Sequence, residues 1–530
     1  MEDNWDDRAD VVVVGFGGAG ACAAIEAAED GADVLVLDRF TGGGATAVSG
    51  GVVYAGGGTA IQHAAGVIDS AEEMFGYLSQ EVGAAVSAAT LKRFCDTSAG
   101  MIDWLARRGV PFDASLCPYK TSYPTNDYYL YYSGSENAWP FRESAVPAAR
   151  GHRAHGAGTS GRTFFAALAV ATERAGARML AQTMAERLVV DGTGRVIGVE
   201  CRVLSGKAAR RHAVLYRYAT KPGLYLPALA RRLWKRIRAI ERKYGRPYRV
   251  AATRGVVLAA GGFIVNRDMM RKHAPAFRGG LPLGTLGDDG AGIRLGVEVG
   301  AATDRMGNVS AWRFLNPPSA LLRGVLVNQT GQRFVDESSY GAALGHKMIT
   351  EQGGKAWLLI DKPIMKAARA QLKTETLWFQ RMQARYLLRA GRTTGRVEKV
   401  ARRAGIDPTG LLATVASYNQ DARDAWGKHP DLVHPLTDGP FALIDCSSRP
   451  RIGYPCPMLT LGGLVVNEDT GQVMSTLGVP IPGLYAAGRN AVGICSNSYV
   501  SGLSLADCVF SGRRAGRLST MDVVENENVF

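Results

Sequence analysis

Apolar and polar positions along the chain switch between two periods. Val11–Val14 is a run of four β-branched residues, and Val34–Leu37 is a second apolar run. Unbroken apolar runs of this length fit strands covered on both faces, as in a parallel sheet. Between them Ala21–Ala28 is small and helix-favouring. Ala71–Gly109, with Met74, Tyr77, Leu78 and Val82 at helical spacing, predicts helices, as does Thr163–Ala175. Leu188–Val203 predicts a hairpin turning at Asp191-Gly192-Thr193-Gly194, and Arg254–Phe263 a strand running into a glycine turn. Leu283–Ala301 is a glycine-acid turn leading into a helix. The character changes from Asn316 to Leu436, where long helical stretches such as Pro363–Arg389 appear and Ile406-Asp407-Pro408-Thr409 opens another. Strand and hairpin chemistry returns over Pro455–Val473. Ile481–Arg489 is a strand ending at Gly488, and Ser498–Gly516 is a glycine turn into a terminal helix. The pattern predicts an α/β chain whose main domain, residues 1–302 and 457–530, is interrupted by a smaller α+β domain over 303–456.

The first strand ends in Gly15-Phe16-Gly17-Gly18-Ala19-Gly20, which fits G-x-G-x-x-G, and the second ends on Asp38, followed by Arg39. Strand, loop, helix, strand and acid in this order specify a dinucleotide-binding unit. Gly15 permits the tight turn, Gly17 lets a pyrophosphate reach the backbone, and Gly20 lets helix and strand pack closely. The helix N-terminus offers free N–H groups and a positive dipole end, with Gly18 and Ala19 beside it. Asp38, 23 residues past Gly15, stands where an acid accepts ribose hydroxyls. Next, Thr41–Thr59 is dominated by small residues. A flat ring could lie against its backbone at Gly44, Ala45, Thr46, Ser49, Gly50 and Gly51. The six tyrosines between Tyr119 and Tyr132 suit a pocket for a large apolar ligand, with Tyr119, Tyr123 and Tyr128 as candidates, or ordinary aromatic packing beneath a loop.

Charge sharpens one segment. The chain carries a formal net charge of +14, and Lys207–Arg249 holds 14 Lys or Arg against one acid, Glu241. The basicity is therefore local and argues against a nucleic-acid surface. From Pro227, Leu229, Leu233, Trp234, Ile237, Ile240 and Tyr244 share one helical face, while Arg231, Arg232, Lys235, Arg236, Arg238, Arg242 and Lys243 fill most of the rest. Val214, Leu215, Tyr216, Tyr218, Leu224, Tyr225 and Leu226 precede it. The segment reads as an interfacial membrane anchor with Trp234, Leu233, Ile237 and Arg236 in contact with lipid; the alternative is a solvated helix packed on its own domain. The acidic N-terminus is not a secretory signal, and no apolar run is long enough to span a bilayer. Eight scattered cysteines without C-x-x-C pairs argue against a metal site and for reduced thiols. The expected setting is cytoplasmic, at the inner face of the cell membrane.

Taken together, the glycine loop, Leu258-Ala259-Ala260-Gly261-Gly262, Gly287-Asp288-Asp289-Gly290, Leu484-Tyr485-Ala486-Ala487-Gly488-Arg489 and Ser501-Gly502-Leu503-Ser504-Leu505 resemble the flavoproteins of the succinate dehydrogenase and fumarate reductase superfamily. The resemblance covers most of the chain outside 207–249. It implies a two-dinucleotide-binding, Rossmann-like domain with non-covalent FAD, interrupted by a capping domain. Ala260, Gly261, Asp289, Gly488, Arg489, Ser504 and Leu505 then join the glycine loop as cofactor-binding residues. The dicarboxylate members carry His-Thr where this chain has Leu459-Thr460, and an arginine where it has Tyr499, so the groups that would hold carboxylates are missing. Tyr499-Val500-Ser501-Gly502, with Lys120-Thr121-Ser122-Tyr123-Pro124, is similar to the 3-ketosteroid dehydrogenases, and to the Δ4-(5α) branch more than to the Δ1 branch, which carries Tyr-Pro-Gly here.

That resemblance implies that Tyr499 and backbone N–H groups between Gly502 and Ser504 hold a steroid 3-keto oxygen. Tyr340 removes a proton from carbon 4 with Ser501 as relay, and the flavin takes a hydride from carbon 5. Ser501 also reads as a helix N-cap. A quinone or an electron-transfer protein would take the electrons onward. The Δ1 reaction, another flavin-dependent enone reduction and a non-enzymatic FAD protein at the membrane are the alternatives.

Overall fold

The structure is a computed structural model that describes residues 4–521 except 226, 421–423, 452 and 454, with backbone alone at 221–225, 227 and 228. Strand β1 (Asp7–Val14) pairs in parallel with β2 (Val34–Asp38), in register from Val11↔Val34 to Val14↔Leu37. Val11, Val12 and Val13 are fully buried, as expected where helices cover both faces. Outside the main sheet, β3 (Val52–Tyr54), β4 (Leu130–Tyr131) and β5 (Gly151–Arg153) form a small sheet in the order β3-β5-β4. β6 (Arg178–Ala181) extends the main sheet beyond β2. β7 (Thr183–Val190) and β8 (Val196–Val203) are the expected hairpin, and β8 pairs antiparallel with β9 (Arg246–Leu258).

The smaller domain carries β10 (Val325–Val327), β11 (Trp357–Ile360), β12 (Arg392–Gly395) and β13 (Phe441–Asp445) in the antiparallel order β10-β11-β13-β12. The chain then returns through β14 (Gln472–Met474) and β15 (Pro480–Ala486). They complete the eight-stranded sheet, whose order is β14-β15-β9-β1-β2-β6 with β7 and β8 attached through β9. The fold is thus an α/β FAD-binding architecture interrupted by an α+β cap.

Two helices bring their N-termini to one place. Helix α1 is Gly18–Glu29; a Cβ on Gly20 would lie 1.9 Å from Gly15 O, so only glycine lets α1 start this close to β1. The segment between β8 and β9 forms two helices, α2 (Gly206–Tyr225) and α3 (Pro227–Tyr244). The cap contributes α4 (Gly341–Glu351) and α5 (Trp378–Arg389). The terminal helix α6 (Leu503–Leu518) packs on α1 so tightly that a Cβ on Gly516 would lie 2.2 Å from Ala23 O.

Two expectations change. Pro363–Arg389 is not one helix. Lys362–Gln371 starts at Asp361, whose carboxylate accepts from Ile364 N at 3.1 Å, and α5 begins only at Trp378. Between them Glu375 turns inward and accepts hydrogen bonds from Ser319 N (2.7 Å) and Ser319 Oγ (3.0 Å), a tertiary contact that helical periodicity does not contain. The apolar face of α3 is also not free for lipid. Ile237 is 0% and Leu233 8% exposed, packed with Phe40, Tyr216 and Ala219, so these two are not membrane contacts. Trp234 is half-buried, with the Arg39 guanidinium 4.8 Å over its ring, while Arg236 is exposed. The sidedness of the charge is real, but the apolar side faces this chain's own nucleotide loop. Leu224, Tyr225 and Leu226 lie outside the described side chains.

Candidate active site

One cavity of about 1360 Å³ runs from the glycine loop to the cap. That exceeds a pocket for a single drug-sized ligand, leaving room for a dinucleotide and a second molecule. The dinucleotide half is built by the β1–α1 turn, the end of β2, 44–51, Ala260, Gly261, Asp289 and the start of α6. Gly15 sits at φ +106°, and a Cβ there would lie 2.6 Å from Ala259 O. Asp38 braces the loop: its Oδ2 accepts from Phe16 N at 2.9 Å and its Oδ1 from Phe40 N at 2.8 Å. Arg489 donates to Asp288 Oδ1 at 2.7 Å, while its Nη1 is buried without a partner. An unsatisfied buried guanidinium nitrogen facing a large cavity is costly unless a ligand acceptor meets it, which fits a bound flavin.

The other half is walled by Trp312, Phe314, Leu315, Leu321, Leu358, Phe379, Leu387, Ile444 and Leu459, together with Tyr340 and Tyr499. None of the described residues lining the cavity between 309 and 459 is charged. The Trp312 and Tyr499 rings are tilted by 31° with centroids 5.1 Å apart, Phe314 meets Tyr340 edge-on at 5.4 Å, and the Tyr340 and Tyr499 centroids lie 6.4 Å apart.

Ser501 sits among three phenols. Its Oγ is 3.1 Å from Tyr131 Oη, its N donates to Ser133 O at 3.2 Å, and its O accepts from Ser133 Oγ at 3.0 Å. Ser501 does not cap α6: the capping position is Gly502 at φ +94°, where a Cβ would lie 2.6 Å from Tyr54 N, and no side chain caps the helix. Burial pushes the Tyr340 phenol well above the ordinary tyrosine value, Tyr499 and Tyr131 push the same way, and a hydrogen bond with Ser501 pulls it back. Tyr499 and Tyr131 are likewise raised by burial.

These observations meet known proteins at one point. The FAD binding domain family matches residues 10–503. The 3-oxo-5-alpha-steroid 4-dehydrogenase of Comamonas testosteroni is 41% identical over 504 residues, 92% of this chain and 93% of that protein. The crystal structure of 3-ketosteroid Δ4-(5α)-dehydrogenase from Rhodococcus jostii RHA1, in complex with 4-androstene-3,17-dione, matches with a TM-score of 0.82 at 33% identity, over 98% of this chain and 99% of that one. The chain belongs to the 3-ketosteroid Δ4-(5α)-dehydrogenase family of FAD-binding flavoproteins. At 19% identity and a TM-score of 0.67, covering 97% of this chain and 99% of that one, the 3-ketosteroid Δ1-dehydrogenase of Sterolibacterium denitrificans shares the fold. A member of this family is a flavin-dependent oxidoreductase with FAD as cofactor.

Most of the residues singled out in the sequence line the cavity: Gly15, Gly17, Gly18, Ala19, Asp38, Arg39, the 44–51 set, Ala260, Gly261, Asp289, Arg489, Leu505, Tyr340, Tyr499, Ser501, Gly502 and Ser504. Gly20 and Gly488 stand behind it as packing glycines; a Cβ on Gly488 would lie 2.8 Å from Ala19 Cβ. Of the three pocket tyrosines, only Tyr123 lines the cavity, with its hydroxyl donating to Gly50 O at 2.7 Å. Tyr119 and Tyr128 pack edge-on with each other and against Tyr131, Val52 and Cys117 behind the wall, the ordinary aromatic packing that was the alternative.

Sequence reasoning missed Tyr131, Trp312 and Phe314, and a buried polar cluster behind the Tyr499 turn. There Glu81 accepts from Ser498 Oγ at 2.7 Å and from Tyr77 Oη at 2.9 Å. Tyr77 Oη accepts from Ser135 N at 2.9 Å, and Ser135 Oγ accepts from Tyr340 N at 2.9 Å. Tyr54 donates to Glu136 at 3.2 Å, and Lys120 Nζ lies 3.7 Å from Glu136. Burial pushes Glu81 from an ordinary 4.5 up to about 7. Its carboxyl holds a proton more tightly folded than unfolded. Its contribution is therefore complete below pH 4.5 and is lost as pH climbs to about 7. Glu81→Gln, which does not titrate, is expected to gain roughly 2–3 kcal/mol of stability relative to the parent between pH 4.5 and 8. Paired denaturant titrations at the two pH values check this; a pH-independent difference would contradict it.

Proposed function

We propose that the protein removes hydrogen from carbons 4 and 5 of a 3-keto-5α-steroid to give the 4-ene-3-ketosteroid. The observation that carries this reading is the convergence of Tyr340, Tyr499 and Ser501 on a cavity wall that holds no charge. A neutral, extended ketone fits such a wall; a dicarboxylate has no cation on it to meet. The names of the Comamonas and Rhodococcus relatives support the same reaction.

In this reading the Tyr499 hydroxyl and an N–H at the start of α6 donate to the 3-keto oxygen. They stabilise the negative charge that develops there as the carbon 4 proton leaves. Tyr340 takes that proton as a phenolate, its own proton having passed to Ser501 and on towards Tyr131 along the hydrogen-bonded hydroxyls. Burial makes the Tyr340 phenolate a strong base but a scarce one, and the hydrogen bond from Ser501 lowers the cost of forming it. When bound, FAD supplies the hydride acceptor for carbon 5. Electrons then leave to an external acceptor, a quinone or an electron-transfer protein.

We also infer peripheral contact with an anionic bilayer, now placed on the cap. Trp378, Met382 and Tyr386 stand four residues apart on α5 and are 74%, 64% and 53% exposed. Trp378 and Met382 also line the cavity, so this apolar stripe is at its mouth. α5 carries exposed Arg385 and Arg389 and no acid, which suits anionic headgroups. No helix of the described residues is long and apolar enough to cross a membrane.

Tyr499→Phe removes one oxyanion donor and is expected to lower kcat about 10²- to 10³-fold. Stopped-flow flavin reduction by a 3-keto-5α-steroid measures it, and full activity would remove Tyr499 from the chemistry. The double variant Trp378→Ser/Met382→Ser is expected to lose flotation with phosphatidylserine vesicles while still reducing its flavin with detergent-dissolved steroid. Unchanged flotation would place any membrane contact elsewhere.

A further inference from the structure

The segment 206–244 is a clean insertion. β8 and β9 pair directly across it, with Val203 opposite Arg246. Without the two helices, Leu204, Ser205 and Gly245 alone would close an ordinary three-residue hairpin. The chain therefore leaves the sheet through α2 and returns to the same point through α3, so the two helices run out and back against each other. Nothing in the main sheet needs them.

Where they land is specific. Arg39, just past the end of β2, is held by Glu241 of α3 through two bonds, Nε–Oε1 and Nη2–Oε2, both 2.8 Å. Its third nitrogen bonds Asp289 Oδ2 at 2.9 Å. Fully buried His212 of α2 reaches the same carboxylate at 3.1 Å. Against the upward push of burial, Arg39 and His212 hold Glu241 down at about 2, so the pair stays charged at any working pH. Phe40 stacks on Tyr216 of α2 at 3.8 Å between centroids. Arg39, Phe40, Tyr216 and Thr220 all line the cavity beside Asp38, at the dinucleotide end and away from Tyr499.

We propose that the α2–α3 hairpin is a cofactor clasp: it closes the nucleotide end of the FAD site, and Glu241 and Tyr216 are its latch. The only acid in a segment of 14 cations is spent on this contact. A bidentate carboxylate–guanidinium pair fixes Arg39 geometrically as well as electrostatically. Closing a site in this way acts chiefly on release rather than on capture. The inference rests on FAD binding and is independent of which ketone is oxidised.

The test is FAD release from holoenzyme, followed by the rise of free-flavin fluorescence after dilution, in three variants. The first joins Ser205 directly to Gly245; the others are Glu241→Gln and Tyr216→Ala. Release at least ~10-fold faster is expected in each, and parental release in the exposed-face control Arg232→Gln/Lys235→Gln. The gap between holo and apo unfolding midpoints should shrink with the weaker binding, while the apo midpoint of Glu241→Gln falls by less than the holo midpoint. Parental release in both point variants would overturn the clasp, and so would apo and holo midpoints falling equally with release unchanged. If the shortened chain does not fold, the point variants alone decide. Because release needs no steroid, a chain that releases FAD as expected yet oxidises no ketosteroid keeps the clasp and removes the proposed substrate.

Discussion

The structure depends on how closely backbone can approach backbone at the β1–α1 turn. Gly15 and Gly20 let α1 begin against the end of β1, and Gly512 and Gly516 let α6 lie along α1, with would-be Cβ atoms 2.5 and 2.2 Å from Ala19 O and Ala23 O. Side chains at these positions would separate the elements by the width of a methyl group. With glycine there, two helices more than 480 residues apart in the chain direct their N-termini at one cavity, where partial positive charge can meet phosphate at one end and a developing enolate at the other. Tyr499, Ser501 and Gly502 occupy the turn that starts the second of these helices. Cofactor binding and the proposed oxyanion stabilisation thus share one packing constraint.

The cap adds an apolar wall and Tyr340. Its contribution is as much exclusion as contact: without a charged side chain on that wall, water and anions have little reason to stay, and the hydroxyl donors act in a low-dielectric setting where they are worth more. Behind the wall, Glu81, Tyr77 and Ser135 tie the Tyr499 turn to the Tyr340 backbone through hydrogen bonds. The two phenols on the cavity wall, Tyr340 and Tyr499, are therefore held by a common buried frame.

Local features of both were legible in the sequence. The glycine loop, Asp38 and the 44–51 stretch carry their meaning in residues a few positions apart, because tight turns and close approaches are local demands. Tyr499, Ser501 and the replacement of a histidine by Leu459 were legible through family resemblance. What failed was long-range. The amphipathic pattern of α3 is correct, but a stripe of Leu, Trp and Ile looks the same whether it meets lipid or Phe40, and only the fold brings Phe40 there. Tyr131 and Tyr128 are three residues apart in one tyrosine-rich stretch. Which of them reaches Ser501, 370 residues away, is decided by the β4–β5 pairing and not by composition. The break before α5 follows from a Glu375–Ser319 contact that no window of local sequence contains.

The proposed reaction is defined by its regiochemistry: hydrogen leaves carbons 4 and 5, not 1 and 2. Anaerobic reduction of the bound flavin by a 3-keto-5α-steroid carrying deuterium at carbon 5, with the product's double bond located by NMR, tests it in one reaction. Bleaching slowed by a primary isotope effect and a 4-ene-3-ketosteroid that has lost the label are expected. Bleaching with the deuterium retained and a double bond between carbons 1 and 2 would contradict it and reassign Tyr340, Ser501 and Tyr131.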